Sequence, residues 1–221
     1  MKKNLLALLI GAVLYTGTCS AQLPATEQTF NNIDTLSSGP TGWILTNQST
    51  PVGVTSWSQG NPEILVAQSG FARSYISANF NSTGGESGNP GIICNYLIMP
   101  DLGNLASVSF QTRSRIAANN FNVFPDRLYM VYSPTGGTNT GNCTDGFGDF
   151  TETLLVVNPD LSKEAFPAGY PLDNWRLFES EINGDGRVAF VYYVDQAGFF
   201  GVNSNFIGID SVKWVNATPN P

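Results

Sequence analysis

The sequence predicts an all-β protein built as a two-sheet antiparallel sandwich. Short apolar or alternating runs recur along the chain between clusters of Gly, Pro, Asn and Ser, with no convincing 3.6-residue periodicity after the first residues. About ten such runs at this spacing are typical of a sandwich rather than of a parallel α/β fold. The composition does not change along the chain, which indicates one domain.

Ten segments carry the strand pattern. They are 29–33, 43–46, 74–80, 95–99, 106–113, 127–133, 153–157, 175–182, 187–194 and 206–215. In the fifth segment, Ala106, Val108 and Phe110 alternate with polar residues, which predicts a strand with one wet face. The ninth segment is apolar on both faces, which predicts a strand covered from both sides.

The final strand predicts a local irregularity. Ile207 and Ile209 share one phase of the alternation, whereas Val212 and Trp214 fall in the opposite phase. A bulge near Asp210 would return all four apolar side chains to the core. Asp210 would then be an acid inside an apolar strand, and a buried carboxylate needs hydrogen-bond donors, a cation or a metal as its partner.

The N-terminus has the pattern of a secretory signal peptide. Two lysines precede an apolar run at 5–14, and small residues ending in Ala21 follow it. The apolar run is too short to span a bilayer, and no later run is long enough. We therefore predict a signal peptide at 1–21, a mature domain at 22–221, and a secreted or cell-surface protein. Lipid anchoring at Cys19 is the alternative, but the residues before it do not match the lipoprotein pattern.

The charge balance argues against nucleic acid and anionic membranes as partners. The chain has 10 basic and 17 acidic residues, a net charge of −7, and loss of Lys2 and Lys3 with the signal peptide would make it more acidic. Both kinds of partner require basic patches. Charged residues make up only 12% of the chain, so hydroxyl and amide groups are expected to dominate its surface.

Cysteine usage agrees with export. Once Cys19 leaves with the signal peptide, Cys94 and Cys143 remain as a pair, which favours a disulfide in an oxidising compartment. That bond would close a loop of about 50 residues and hold the loop at 134–150 against the strand at 95–99. Two separate buried thiols are the alternative. A zinc site is not expected, since two cysteines without histidine cannot complete its shell.

The chain contains no histidine, which restricts its chemistry. Ser-His-Asp and Cys-His nucleophiles, histidine general bases and histidine-ligated zinc or copper are all excluded. A carboxylate-pair glycoside hydrolase stays open, with Glu179 and Glu181 on one strand and Glu63, Glu86 and Glu152 in or near loops. Acids on a half-exposed strand are usually solvated, so we expect a protein that is not an enzyme.

Calcium is the metal that the residue types favour. It binds carboxylates, Asn side chains and backbone carbonyls, which are plentiful here. One candidate group combines Asn31, Asn32 and Asp34 with Asp210, and a second lies at 145–149. Segments of this composition are more often turns than sites, and neither matches an EF-hand loop.

Aromatic residues on predicted loops could stack on sugar rings, because their faces are apolar while the sugar edges stay free to hydrogen-bond. The candidates are Trp57, Tyr96, Tyr170, Phe199 and Phe200. Of these we predict Trp57, Phe199 and Phe200 as ligand-binding residues. The alternative is that most of the candidates fill the core.

Asp126 and Arg127 follow Pro125 at the start of a predicted strand. Their side chains could pair with other residues and so fix a loop. We expect this structural role for them rather than a binding one.

Several short blocks spread over the mature chain form a recognisable set. They are 42–43 (GW), 57–62 (WSQGNP), 67–70 (AQSG), 75–81 (YISANFN), 97–100 (LIMP), 124–128 (FPDRL), 148–150 (GDF) and 203–212 (NSNFIGIDSV). The set resembles the bacterial choice-of-anchor J domains and the related cleaved-adhesin domains. The blocks run in order from the first strand to the last, so the resemblance covers essentially the whole mature domain.

The resemblance implies a jelly-roll-like sandwich on an exported protein with a binding or adhesive role. It also implies that the first and last strands are neighbours, and that a calcium ion held there brings Asp210 and Asn32 together. Our leading hypothesis is a non-catalytic module that recognises an extracellular glycan, polymer or surface component. The alternative is a structural matrix or surface protein without a specific small ligand.

Overall fold

The computed structural model describes residues 26–36, 42–116 and 124–217. The predicted signal peptide at 1–21 and Cys19 lie outside these residues. Within them, no helix is both long and apolar enough to cross a membrane.

The described residues form twelve strands and two short 3₁₀ helices. The strands are β1 (Thr26–Gln28), β2 (Ile44–Asn47), β3 (Ser58–Gln59), β4 (Ile76–Asn79), β5 (Gly85–Glu86), β6 (Asn89–Ile98), β7 (Asn104–Ser114), β8 (Leu128–Ser133), β9 (Glu152–Val157), β10 (Arg176–Asp185), β11 (Arg187–Ala197) and β12 (Phe206–Asn216). The helices are Ile33–Thr35 and Phe80–Ser82. Nine of the ten predicted strands are confirmed.

The predicted strand at 29–33 is wrong. The first strand ends at Gln28, and a 3₁₀ helix follows over Ile33–Thr35. The Asn32 side chain accepts a hydrogen bond of 3.0 Å from the amide of Asp34, so a local cap replaces the extended backbone.

The strands pair into two antiparallel sheets. The front sheet has the order β10-β7-β12-β4-β3, with β1 also paired to β12, and the back sheet has the order β2-β6-β11-β8-β9, with β5 paired to β6. The predicted all-β, jelly-roll-like antiparallel sandwich is confirmed. Pairing of β1 with β12 also confirms that the first and last strands are neighbours, since Thr26 lies opposite Trp214.

The main core lies between the two sheets. Phe110 of β7 and Phe190 of β11 are fully buried, and their ring centroids are 4.8 Å apart in an edge-to-face arrangement. Burial of one such side chain stabilises a fold by about 1.5–3 kcal/mol. Alternation along β7 therefore fixes which face of the front sheet turns inward.

A second cluster covers the outer face of the back sheet. Ala189 and Val191 of β11 pack there against Phe150 from the loop that precedes β9. A disulfide joins Cys94 of β6 to Cys143 in the same loop. The predicted disulfide and the double coverage of β11 are both confirmed.

The predicted bulge in β12 is also confirmed. The pairing register of β12 with β7 shifts between Asp210 and Lys213, and Ser211 has a φ of 50°. This shift places Val212 in the main core together with Ile209, although the two belong to opposite phases of the sequence.

Candidate ligand-binding surface

Two adjacent phenylalanines stand out from the loop between β11 and β12. Phe199 is 75% exposed and Phe200 is 51% exposed, and their ring centroids lie 5.1 Å apart at an angle of 85°. The ring of Phe199 is also 6.5 Å from that of Phe80. Exposed apolar side chains that cluster in this way mark candidate contact surfaces.

Backbone hydrogen bonds give this loop a defined shape. The Gln196 carbonyl accepts from the amide of Val202 at 2.9 Å, and Ser204 Oγ accepts from the amide of Gly198 at 3.1 Å. Gly201 lies so close to Gln196 that an added Cβ would be 2.2 Å from its carbonyl oxygen. The two phenylalanine rings are therefore displayed by a tightly closed turn.

The exposed rings border a cleft of about 260 Å³, which we call the aromatic cleft. Its lining residues are Phe80, Arg115, Phe124, Gly198, Phe199, Ser204 and Asn205. They come from the end of β4, the end of β7, the start of β8 and the loop before β12. Four segments that are distant in sequence thus meet at one end of the sandwich.

A second depression adjoins the aromatic cleft, and we call it the polar groove. It has a volume of about 380 Å³ and is lined by Ser58, Gln59, Asn61, Ile64, Ser77, Asn79, Phe80, Asn81, Arg115, Asn205 and Phe206. Ile76 and Ala78 face the core, so Ser77 between them faces outward on β4. The groove therefore lies on the outer face of the front sheet and shares Phe80, Arg115 and Asn205 with the aromatic cleft.

A buried acid supports the floor of both depressions. Asp126 is fully buried and accepts hydrogen bonds from Ser114 Oγ at 2.5 Å, Tyr192 OH at 2.5 Å and the amide of Asn205 at 2.7 Å. Burial raises the pKa of its carboxyl to about 6, against the opposing effect of these donors. The network ties the beginning of β12 to β7 and β11.

Arg127 holds the base of the phenylalanine loop. Its guanidinium donates to the Tyr193 carbonyl at 3.0 Å and forms an ion pair with Asp195 at 3.2 Å. It also lies 4.7 Å from the ring centroid of Tyr193. The predicted structural role of Asp126 and Arg127 is confirmed.

Asp210 is satisfied by backbone donors. Its Oδ2 atom accepts from the amides of Gln68 at 2.8 Å and Ser69 at 3.1 Å, and its Oδ1 atom accepts from the amide of Ser211 at 2.6 Å. Burial raises the pKa of this carboxyl to about 6, and the same donors oppose that effect. The acid thereby fastens the loop that precedes β4 to the bulge of β12.

The fold is shared with known adhesin domains. The chain is similar to the K2 cleaved adhesin domain of Lys-gingipain, with a TM-score of 0.55 and 17% identity over 86% of this chain and 99% of that domain. It is also similar to the K1 domain of Lys-gingipain from Porphyromonas gingivalis W83, with a TM-score of 0.55 and 19% identity over 88% and 99% of the two chains. This chain has the cleaved-adhesin fold. No family model matches it, and no curated protein matches its sequence significantly.

In this cleaved-adhesin fold, the predicted aromatic residues separate into two groups. Phe199 and Phe200 reach the surface, as described above. Trp57 is only 5% exposed and belongs to the main core, so its predicted position on a binding surface is corrected to a core position. Tyr96 and Tyr170 are fully buried as well.

Sequence reasoning did not find the other residues of the surface. The sequence predicts no binding role for Phe80, Arg115 or Asn205. Each has an ordinary local context, and their proximity follows only from the pairing of β12 with both β4 and β7. A single sequence gives no local signal for this convergence.

In the cleaved-adhesin fold, Asp210 and Asn32 of the predicted calcium site have hydrogen-bond partners within the protein. Amide N–H groups point at both oxygens of Asp210, where a cation would have to bind, and the Asn32 oxygen caps a 3₁₀ helix. In the described part of the chain, no group of three or more His, Cys, Asp and Glu side chains could hold a metal. Calcium binding stays a prediction.

The second candidate for calcium has the hydrogen bonds of a turn. Asp145 Oδ2 accepts from Asn142 Nδ2 at 2.7 Å, and Asp149 Oδ2 accepts from the amide of Asn139 at 2.9 Å. Both carboxylates therefore stabilise the loop that carries Cys143.

Several exposed carboxylates lie in a cleft that is separate from the aromatic cleft and the polar groove. Glu152, Glu181 and Asp185 line it together with Tyr132, and all three acids are exposed. A glycosidase needs one acid held in a partly apolar setting so that it keeps its proton. The buried acids Asp126 and Asp210 are inaccessible from any cleft surface, with exposures of 0%.

Proposed function

We propose that this protein is an exported, non-catalytic module that binds an extracellular saccharide across the aromatic cleft and the polar groove. The observation that carries the proposal is the exposed Phe199–Phe200 pair, which lies beside a groove rich in hydroxyl and amide side chains. The disulfide between Cys94 and Cys143 supports an oxidising compartment outside the cytoplasm.

The two depressions offer complementary chemistry. A sugar ring has an apolar face that can stack on Phe199, while its hydroxyl groups at the ring edge need donors and acceptors. Ser58, Asn79 and Asn81 present hydroxyl and amide groups in the adjoining groove. A ligand that extends from the cleft into the groove would use both surfaces at once.

The positions of the acids support binding without catalysis. Glu152, Glu181 and Asp185 lie in a different cleft, lined by residues of β8, β9 and the end of β10. The two buried acids are engaged in structural hydrogen bonds. A saccharide at the aromatic cleft would therefore meet no carboxylate pair able to cleave it.

The proposal is tested by binding of the purified protein to an array of plant, bacterial and animal polysaccharides. We expect retention on at least one saccharide, with loss of about tenfold or more in affinity for the Phe199→Ala/Phe200→Ala variant, since each stacked ring contributes about 1 kcal/mol. The matched control is Phe71→Ala, because Phe71 is 77% exposed but lines neither depression. Failure to bind any saccharide, or equal loss in the control, would overturn the proposal.

A further inference from the structure

Arg115 lies where the aromatic cleft and the polar groove meet, and it lines both. Its backbone is fixed, because its amide donates to the Phe206 carbonyl at 3.0 Å and its carbonyl accepts from Asn205 Nδ2 at 3.3 Å. Its side chain is exposed, and its guanidinium forms no hydrogen bond or ion pair with any other described residue. A permanent positive charge is thus presented at the centre of the surface.

The surroundings of Arg115 contrast with the rest of the molecule. The chain has 17 acidic and 10 basic residues, yet the described lining of the cleft and the groove contains no acid. Three other clefts of the described residues contain acids: Glu152, Glu181 and Asp185 in one, Glu27 in another, and Glu179 and Glu181 in the third. The field at Arg115 therefore favours an anion more than at these other clefts.

Asp126 does not neutralise this arginine. Its carboxyl is fully buried beneath Asn205 and is occupied by the donors of Ser114, Tyr192 and Asn205. None of the ion pairs in the described chain joins Asp126 to Arg115. Among the described residues, the guanidinium is therefore without an ion-pair partner, and it lies on the solvent side.

We infer that the saccharide bound here is acidic, with a uronate carboxylate that accepts two hydrogen bonds from Arg115 while a sugar face stacks on Phe199. This inference rests on the proposed saccharide-binding function. The planar guanidinium matches a carboxylate with two parallel N–H···O bonds, and such charged hydrogen bonds are stronger than neutral ones. The neutral hydroxyl groups of the saccharide would then bind in the polar groove.

The test compares uronate polymers with the same polymers after chemical reduction of their carboxyl groups to neutral alcohols. Pectate, alginate, hyaluronan and glucuronoxylan serve as probes, together with sulfated galactans. We expect at least one uronate polymer to bind, with a loss of about tenfold on carboxyl reduction. Arg115→Gln should cause a similar loss, whereas Lys163→Gln, which removes one positive charge from an exposed loop outside both depressions, should bind normally.

The outcomes separate this inference from the function on which it rests. Binding of neutral saccharides with no effect of Arg115→Gln would overturn the acidic ligand and leave the saccharide-binding function intact. Binding only of sulfated polymers would contradict the claim that Arg115 recognises a carboxylate. Binding of no polymer at all would overturn both proposals. Circular dichroism of Arg115→Gln checks that the exposed substitution leaves the fold unchanged.

Discussion

The carboxylate of Asp126 accepts a hydrogen bond of 2.7 Å from the backbone amide of Asn205. Asp126 is fully buried, whereas Asn205 lines both the aromatic cleft and the polar groove. A polar network inside the sandwich therefore sets the position of the surface on which we place the ligand. This coupling makes the stability of the domain and the geometry of the site depend on the same acid.

Stability is expected to fall as the pH rises from about 4 to 7. Burial raises the pKa values of Asp126 and Asp210 to about 6 from their usual 3.8. Between these values the folded state binds more protons than the unfolded state, so the free energy of unfolding decreases with pH. The lowered pKa of Asp173 acts in the opposite direction, but only below its usual value of 3.8. Urea unfolding at pH 5 and pH 7 and constant ionic strength measures the difference.

The matched control for this pH dependence is the Asp126→Asn/Asp210→Asn variant. Removing both buried acids should flatten the change in unfolding free energy between pH 5 and pH 7, while the general repulsion of a net charge of −7 remains. A slope in the variant as steep as that of the wild type would contradict the assignment to these two acids.

Loss of the disulfide is expected to destabilise the domain without abolishing binding. The bond joins residues 49 positions apart, and a loop of that length contributes about 4 kcal/mol in the chain-entropy model. Reduction should thus lower the melting temperature by roughly 10 °C. The loop that it holds covers the outer face of the back sheet and does not line the aromatic cleft at the end of the sandwich, so saccharide binding by the folded protein should be retained.

The comparison for that prediction is the Cys94→Ala/Cys143→Ala variant, which should melt close to the reduced wild type and be insensitive to reductant. An unchanged melting temperature after complete reduction would show that the disulfide contributes nothing to stability.

Substitutions of Trp57 and Phe199 should affect different properties, namely stability for Trp57 and ligand binding for Phe199. Trp57→Ala removes a large side chain from the main core and is expected to cost about 3–5 kcal/mol of unfolding free energy. Trp57→Phe should cost less, because the buried indole nitrogen has no hydrogen-bond partner in the described part of the chain. Phe199→Ala should leave the unfolding free energy nearly unchanged, since its ring is 75% exposed. Similar destabilisation by both alanine variants would contradict the division into core and surface.

Asp210 should stabilise the fold through its hydrogen bonds rather than through a metal. We expect the same melting temperature in millimolar calcium and in excess EDTA, because amide N–H groups already point at both carboxylate oxygens. Asp210→Ala should lower the melting temperature equally in both solutions. An upward shift in calcium that Asp210→Ala abolishes would instead establish the calcium site that the sequence resemblance implies.

The regular parts of the fold could be predicted because they follow from alternation. The phase change between Ile209 and Val212 required a bulge, and the structure has it beside Asp210. The two apolar faces of β11 required cover on both sides, and the disulfide loop supplies the second layer. In each case the residues on which the prediction depends lie within a single strand.

The predictions that were wrong or missing depend on contacts that are not visible within one strand. Trp57 is predicted at the surface as an aromatic residue on a loop, but its ring turns into the main core. The segment at 29–33 is predicted as a strand from its short apolar pattern, but Asn32 caps a 3₁₀ helix there. Phe80 and Arg115 lie beside Phe199 only because β12 pairs with β4 and β7, which are more than 80 residues away in sequence. No local pattern in a single sequence indicates these pairings.

The most direct test of the central claim is amide hydrogen exchange of the protein with and without the saccharide that it binds. The account predicts added protection in 79–83 and 198–206, which contribute to the aromatic cleft and the polar groove, and none in the disulfide loop at 142–149. Protection confined to the disulfide loop and its aromatic neighbours Tyr129, Phe147 and Tyr193, with the cleft unchanged, would contradict it.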